Sequence, residues 1–468
     1  MLIPKNSSGL FTDFYELTMA QGYFLSGKKD DKAHFDYFFR KNPYDGGFTI
    51  FAGLQTLLDT LENYQFEDQD LEYLKSLGFD KRFLKYLKDF HFEGHLFAFS
   101  EGEVVFPNEP IVRVEGNIVE TQLIESLLLN ILNFQSLIAT KAARLKLAAK
   151  DKLLLEFGLR RAQGLAAVHA SRAAIIGGCD MTSNTYSAQL FGIRPSGTMA
   201  HSWIQTFNDE KASFKAFAEY YPESSVFLVD TYNTLEKGIP NAISVAKEME
   251  KQGKKLQGIR LDSGDLAYLS KKARRMLDEA GLNYVNIVVS NQLDEFVIMS
   301  LLQQNAPIDA FGVGTSLATG MDDAALDGVY KLSVIRDDAT MKVSENVLKM
   351  TLPGKKDVFR FFDPENNGFC ADGVELVDFG SPAQIYHPHF SEKNMSVSDC
   401  KYEKLMQPYM QNGSKIKENK SIISISQYVQ ERLALLPEEN KRFENPHIYK
   451  VGIGGNLMDL RKKIKEKI

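Results

Sequence analysis

Cysteine is scarce in this 468-residue chain: Cys179, Cys370 and Cys400 are odd in number and far apart. That argues against a disulfide framework and a thiolate zinc site, and fits a reducing compartment. Charge of one sign is lacking too. The 55 basic residues against 61 acidic ones leave a net charge of -6, so no long-range field draws the chain to nucleic acid or an anionic membrane. A membrane span is absent as well: the most apolar long stretch, VETQLIESLLLNILNFQSLIATKAA, carries Glu125, Asn130 and Asn133 inside any window of about 20 residues, and reads as a core helix. The opening MLIPKNSSGLFTDFYELTMAQ has polar and acidic residues where a secretory signal needs an unbroken apolar core, so a cytoplasmic start is expected.

What is present is an ordinary globular composition, 44% hydrophobic and 25% charged, at a length that implies two or three domains of about 150 residues each. The first part reads as a helix from Phe14 to Leu25, a strand from His34 to Phe39, a glycine turn and a helix from Ala52 to Leu61. The strand-rich GHLFAFSEGEVVFPNEPIVRVEG and a long helix from Val119 to Ala149 follow. From about Leu153 to Ile335 short apolar runs end in polar or glycine residues and lead into helices. They are LLLEFG, GGCDMTSN, TMAHSWIQTF, SVFLVDTYNT, LQGIRLDSGD, NIVVSNQLDE, IDAFGVGTSL and GVYKLSVI. This alternation predicts a parallel sheet covered by helices, and the number of units favours an α/β barrel over an open sheet. After Met341 strand and turn character returns, either completing the N-terminal layer or forming its own module. Residues 395–420 read as extended surface, a helix is expected from Val429 to Leu435, and the basic MDLRKKIKEKI reads as a solvated helix.

Polar ends of parallel strands converge on one rim, and the rim is where chemistry is expected. In GIRLDSGD, Arg260 can clamp a planar anion, while Asp262 and Asp265 can accept ribose hydroxyls or hold a hydrated divalent cation. In FGVGTSL, Gly312 and Gly314 let backbone amides approach a phosphate, with Thr315 and Ser316 at a helix start. Ser290 and Asn291 of VVSNQLDE offer the opposite wall. His201 follows Gly197, Thr198 and Ala200 in a small-residue turn, where an imidazole can act as base or phosphoryl acceptor. Phe157 beside Arg160 and Arg161 suits a flat aromatic carboxylate, and Tyr15 lies near Asp13 on a helix whose aromatic spacing also fits packing. The other histidines do not cluster as metal ligands.

Eight motifs in order, TDFYELTMAQGYF, EFGLRRAQG, GGCDMTSNTYSAQLFGI, PSGTMAHSW, VDTYNT, GIRLDSGDL, SNQLDE and FGVGTSL, make the chain resemble the nicotinate phosphoribosyltransferase family over about residues 9 to 360, and more loosely beyond. The resemblance implies an irregular α/β barrel beside an α/β sandwich, divided as residues 1–128, 129–340 and 341–468, the last segment completing the sandwich. It implies that nicotinate and phosphoribosyl pyrophosphate give nicotinate mononucleotide and pyrophosphate in NAD synthesis. The family couples this to ATP hydrolysis with Mg2+ through a phosphohistidine. A nicotinamide-using relative and quinolinate phosphoribosyltransferase are the nearest alternatives.

By the same resemblance, His201 is the phosphorylated histidine. Phe157 and Tyr15 sandwich the pyridine ring, Tyr15 coming from the other subunit of a homodimer. Arg160, Arg260 and Thr198 serve the ring and the phosphoribosyl group. Asp262 and Asp265 are the ribose- and magnesium-associated acids, and Ser290, Asn291, Gly314 and Thr315 form the 5'-phosphate cup. Lys331, Lys342 and Arg360 are candidates for pyrophosphate or ATP phosphates.

Overall fold

The computed structural model describes residues 8–345 and 349–467; the first seven residues of the segment read for a signal lie outside them. The chain divides into two compact units, residues 141–322 and residues 1–140 with 323–468. The segment after Met341 therefore joins the N-terminal layer.

The unit of residues 141–322 is built on six parallel strands in the order Met181–Thr182, Leu153–Glu156, Ala310–Val313, Asn286–Ser290, Gly258–Leu261 and Val226–Leu228. The two edge strands do not pair with each other among the described residues, so the barrel is irregular and incomplete. Three of the helices that follow the strands begin where a polar side chain satisfies an orphan amide. Asp265 caps Leu266–Glu279, Asp294 caps Glu295–Gln303 and Asn184 caps Thr185–Phe191. Helix Leu266–Glu279 buries Leu266, Ala267, Ser270, Ala273 and Leu277. Its outer face carries the i,i+4 pairs Arg274–Asp278 and Arg275–Glu279 at 2.9 and 2.7 Å. Gly238 is required here by close approach, because a Cβ would lie 1.8 Å from the Val229 carbonyl oxygen.

The sandwich unit holds a seven-stranded antiparallel sheet and a six-stranded mixed one. In the first, Lys32–Phe39 lies between Gly328–Ile335 and Val112–Asn117. In the second, Phe369–Leu376 lies between Lys356–Phe362 and Val451–Ile453. Buried ion pairs connect the sheets: Lys356 with Asp36 at 2.7 Å, and Arg113 with Asp357 at 3.8 Å.

Several expectations need correction. GVYKLSVI is not a barrel strand but pairs antiparallel with Lys32–Phe39, since an apolar run does not reveal which sheet receives it. TMAHSWIQTF is no strand: His201–Gln205 is helical, with the Trp203 indole donating to the Ser213 carbonyl at 3.2 Å. The long helix breaks at Ile124 into Ile118–Leu123 and Glu125–Ala149. Residues 395–420 include the strands Lys401–Lys404 and Gln407–Gln411, and the following helix is longer than expected, Ile422–Leu435.

Arg360, a candidate for pyrophosphate or ATP phosphates, is a core residue whose donors are taken by protein groups. It is fully buried, donates from Nε and Nη2 to Asp372 at 2.9 and 2.6 Å, and from Nη1 to Glu103 at 2.5 Å. The Phe369 ring lies 4.4 Å from it. Arg360→Met leaves buried Asp372 without its cation and Glu103 with Arg432 alone, and should cost about 3–5 kcal/mol, read as a lower denaturant midpoint. A second test concerns Glu16, whose carboxyl is raised from its ordinary 4.5 to about 7, by burial first and by Glu125 to a lesser extent, against hydrogen bonds from Ser126 and Thr12. The folded state therefore holds the proton more tightly than the unfolded one, and stability falls as pH rises from about 4.5 to about 7. Glu16→Gln should flatten that fall and leave the protein more stable than the parent above it, as urea midpoints on both sides of this range would show.

Candidate active site

All the strands of the parallel sheet present their C-terminal ends on one side, and five deliver polar or aromatic groups there. After Val226–Leu228 come Asp230 and Thr231, and Gly258–Leu261 carries Arg260 and leads to Asp262 and Ser263. Asn286–Ser290 ends in Ser290, Ala310–Val313 leads to Gly314, and Leu153–Glu156 leads to Phe157.

Asp230 ties two of these ends together. Its Oδ2 accepts from the Asp262 backbone N–H and from the Ser263 hydroxyl, each at 2.7 Å. The Asp262 carboxylate is thereby aimed by its own backbone, and its Oδ1 accepts from Ser290 Oγ. The other Asp262 oxygen lies 3.9 Å from His201 Nε2, while His201 Nδ1 lies 3.0 Å from Thr231 Oγ1. Both side chains keep more than a third of their surface exposed. Arg260 Nη1 donates to Thr198 Oγ1 at 2.6 Å, and its buried Nε has no partner. Burial is the main cause holding this guanidinium below its ordinary value, with a contribution from Arg160 and against the pull of Asp262 and Asp230. The ion stays charged, as arginine does in proteins. Asp230 Oδ1 is also buried without a partner. Two unsatisfied, oppositely charged groups at one rim are expensive in the free protein, and a ligand with both anionic and hydroxyl groups would satisfy them.

The loop of Phe157 is held from below. Buried Glu156 accepts from the Gly158 N–H and from the hydroxyls of Ser171 and Thr182, so this carboxylate is spent on geometry. The Phe157 ring lies on Gly312, where a Cβ would come within 2.5 Å of it. Only glycine leaves the ring this seat. Arg160 is exposed beyond it. At the neighbouring strand end Asn291 takes φ +90°, and Gln292 follows at +44°, a left-handed turn of the kind found where function imposes strain.

The structure thus links His201, Asp262 and Ser290, and separately pairs Arg260 with Thr198 at the same strand ends. Asp265 instead caps its helix by accepting from the Tyr268 N–H at 3.0 Å. Thr315 and Asn291 are exposed at their strand ends. Four candidates belong to the sandwich unit. Of these, Tyr15 is half-exposed, Lys331 lies 3.4 Å from Glu125, Lys342 is exposed, and Arg360 is withdrawn into the core. Sequence reasoning assigned no role to Asp230, Thr231 or Glu156. VDTYNT has the same form as LDSGD, an apolar strand ending in an acid and a hydroxyl, and that signal was available for the first two.

Fold and site together define an α/β-barrel enzyme with a charged rim at the strand ends and an attached antiparallel sandwich. Comparison narrows the class. Residues 10–133 match the nicotinate phosphoribosyltransferase N-terminal domain, residues 153–350 the nicotinate phosphoribosyltransferase family, and residues 355–461 the C-terminal domain, which extends the likeness beyond residue 360. The chain is 45% identical to nicotinate phosphoribosyltransferase of Bacillus subtilis, covering 99% of this chain and 97% of the relative. The crystal structure of human nicotinic acid phosphoribosyltransferase is 29% identical and superposes with a TM-score of 0.87, over 97% of this chain and 99% of that one. A nicotinate-nucleotide pyrophosphorylase from Pyrococcus furiosus, 25% identical, gives 0.72 over 91% and 95%. The chain belongs to the nicotinate phosphoribosyltransferase family.

Because Asp230 aims Asp262 and Ser263, Asp230→Ala should lower turnover by about 10²-fold, the scale on which small misplacements act. Substrate KM should change much less, and the variant should remain folded by circular dichroism. A loss confined to KM would assign Asp230 to substrate binding alone.

Proposed function

We propose that this protein is a nicotinate phosphoribosyltransferase that joins nicotinate to the ribose 5-phosphate of phosphoribosyl pyrophosphate, releasing pyrophosphate, and that ATP hydrolysis drives the reaction through His201. The observation that carries this reading is the linked set of His201, Thr231, Asp262, Ser290 and Asp230 at the strand ends, with the Arg260–Thr198 pair on the strand that leads to Asp262.

The cluster supplies the groups this chemistry needs. Phe157 gives a flat wall for the pyridine ring, and Arg160 a cation for its carboxylate. A nicotinamide substrate would gain nothing from that cation, and the nearest carboxylate, Glu156, is already saturated by three donors. Arg260 faces the anionic phosphoribosyl group. Ser290, Asn291, Gly314 and Thr315 lie where strand ends present amides and hydroxyls to a 5'-phosphate. As the glycosidic bond to pyrophosphate breaks, cationic character develops on the ribosyl carbon, and the fixed Asp262 carboxylate stabilises it.

For phosphoryl transfer, Thr231 Oγ1 accepts the Nδ1 proton of His201, leaving Nε2 with a lone pair. The Nε2–P bond then forms as the bond from the γ-phosphorus to the ADP oxygen breaks, and water later releases phosphate. Divalent magnesium fits a site with half-exposed Asp262 and the orphaned Asp230 Oδ1, since this ion takes one or two carboxylates and completes its shell with phosphates and water. When bound there it would neutralise charge on the phosphate oxygens. Asp265, committed to its helix cap, is left the lesser role of the two acids first assigned.

Tyr15 is supplied by a second copy of the chain in this reading. Phe14, Tyr15 and Met19 are exposed by 57, 47 and 37%, an apolar surface on one helix that a homodimer would cover. Among the described residues no helix is long and apolar enough to cross a membrane, and free cysteines support a cytoplasmic setting.

His201→Ala should abolish nicotinate-dependent ATP turnover and protein phosphorylation while sparing slow ATP-independent nucleotide synthesis. Mixing Tyr15→Ala chains with His201→Ala chains should restore the ATP-coupled activity that each lacks, because mixed dimers rebuild one intact site. Phosphate mapped to another residue would reject the role of His201. Verified mixed dimers without recovery would reject the shared site.

A further inference from the structure

A narrow cleft in the sandwich unit is lined in part by Asp36, Phe38, Lys331, Lys356, His389 and Arg461, all of the same unit. Arg461 lies on helix Gly455–Lys467 and is only 5% exposed. Its Nη1 donates to the Pro388 carbonyl, but its Nε is buried with no partner, and no carboxylate pairs with it among the described residues. Burial alone lowers its pKa, with no counter-ion acting against it. His389, the residue after Pro388, has a buried Nδ1 that also lacks a partner. Asp36 contributes the third unpartnered atom, Oδ1; its other oxygen takes Lys356 Nζ at 2.7 Å.

A buried guanidinium without an anion is strongly unfavourable, and each orphaned polar atom adds to the penalty. The needs of this cleft are specific. Arg461 Nε donates, as does His389 Nδ1 in its Nδ1–H tautomer, so both suit an anion, and a carboxylate oxygen asks for a donor. The space open to water-sized molecules, about 30 Å³, suits a compact ion better than a nucleotide. Phosphate near neutral pH carries both acceptor oxygens and at least one hydroxyl, whereas sulfate only accepts.

We propose that this cleft is a binding site for inorganic phosphate, held by Arg461 Nε and His389 Nδ1, with the hydroxyl of the ion donating to Asp36 Oδ1. Its occupant fastens the C-terminal helix to the strand Lys32–Phe39 that carries Asp36. The three residues that would hold the ion, Arg461, His389 and Asp36, are distinct from those of the catalytic reading, and of the cleft lining only Lys331 is shared with it.

The test is isothermal titration of the full chain in buffer free of phosphate and sulfate, with inorganic phosphate, sulfate and ATP added separately at matched ionic strength. Phosphate bound elsewhere is common to the parent and Arg461→Met, so the difference between them reports this cleft. That component should weaken at least tenfold in Arg461→Met, and sulfate should bind it at least tenfold more weakly than phosphate. ATP should show no Arg461-dependent component. Without phosphate, Arg461→Met should melt at or above the parent temperature, because the uncompensated charge is gone; with phosphate the order should reverse. His389→Ala gives the same comparison should Arg461→Met not fold. No Arg461- or His389-dependent phosphate binding overturns the site. Equal affinity for sulfate overturns the role of Asp36 and the choice of phosphate, and an Arg461-dependent component with ATP overturns the restriction to a free ion.

Discussion

The Asp230 carboxylate is the interaction on which the rim depends. Parallel strands bring their ends near one another but do not orient the side chains beyond them, because each chain leaves its strand through a turn. By accepting from the Asp262 N–H and the Ser263 hydroxyl, Asp230 fixes the turn after one strand to the turn after its neighbour. Asp262 then meets Ser290 from a third strand, and His201 is placed between Thr231 and Asp262. The bonds to buried Asp230 are charge-assisted, stronger than neutral ones, and lose little to solvent screening.

A different constraint organises the sandwich, where the problem is charge balance away from water. Arg360 and Arg432 meet Glu103, and Arg360 also meets Asp372. Glu109 beside them is raised well above its ordinary value by burial first and then by Asp372. Two arginines thus face Glu103 and Asp372 inside and Glu403 at the edge. Residues from far apart in the chain, Glu103 to Arg432, have to assemble before this balance exists, which makes the unit dependent on both ends of the sequence.

Rigidity and exposure are divided between the two kinds of carboxylate. Glu156 has three donors and is closed to solvent, and it holds the loop that carries Phe157. Asp262 and His201 keep open faces. A site that must receive an anionic ring and a phosphorylated sugar needs fixed walls with open polar groups, and the division supplies both.

Local signals determined much of this protein from the sequence alone. Asp265, Asp294 and Asn184 cap helices where polar residues follow apolar runs, and the order of the motifs is enough to identify the family. Both rest on neighbours within a few residues, where hydrogen-bonding reach and backbone periodicity are set by covalent geometry. What the tertiary structure decided lies at long sequence separation. The pairing of GVYKLSVI with Lys32–Phe39, the burial of Arg360, the bond from Asp230 to the turn at Asp262, and the orphaned Arg461 beside Pro388 all depend on which distant segment arrives, and on whether it brings an opposite charge. An arginine reads the same in sequence whether solvent or two carboxylates await it; only the packed chain sets the dielectric around it and supplies its partners.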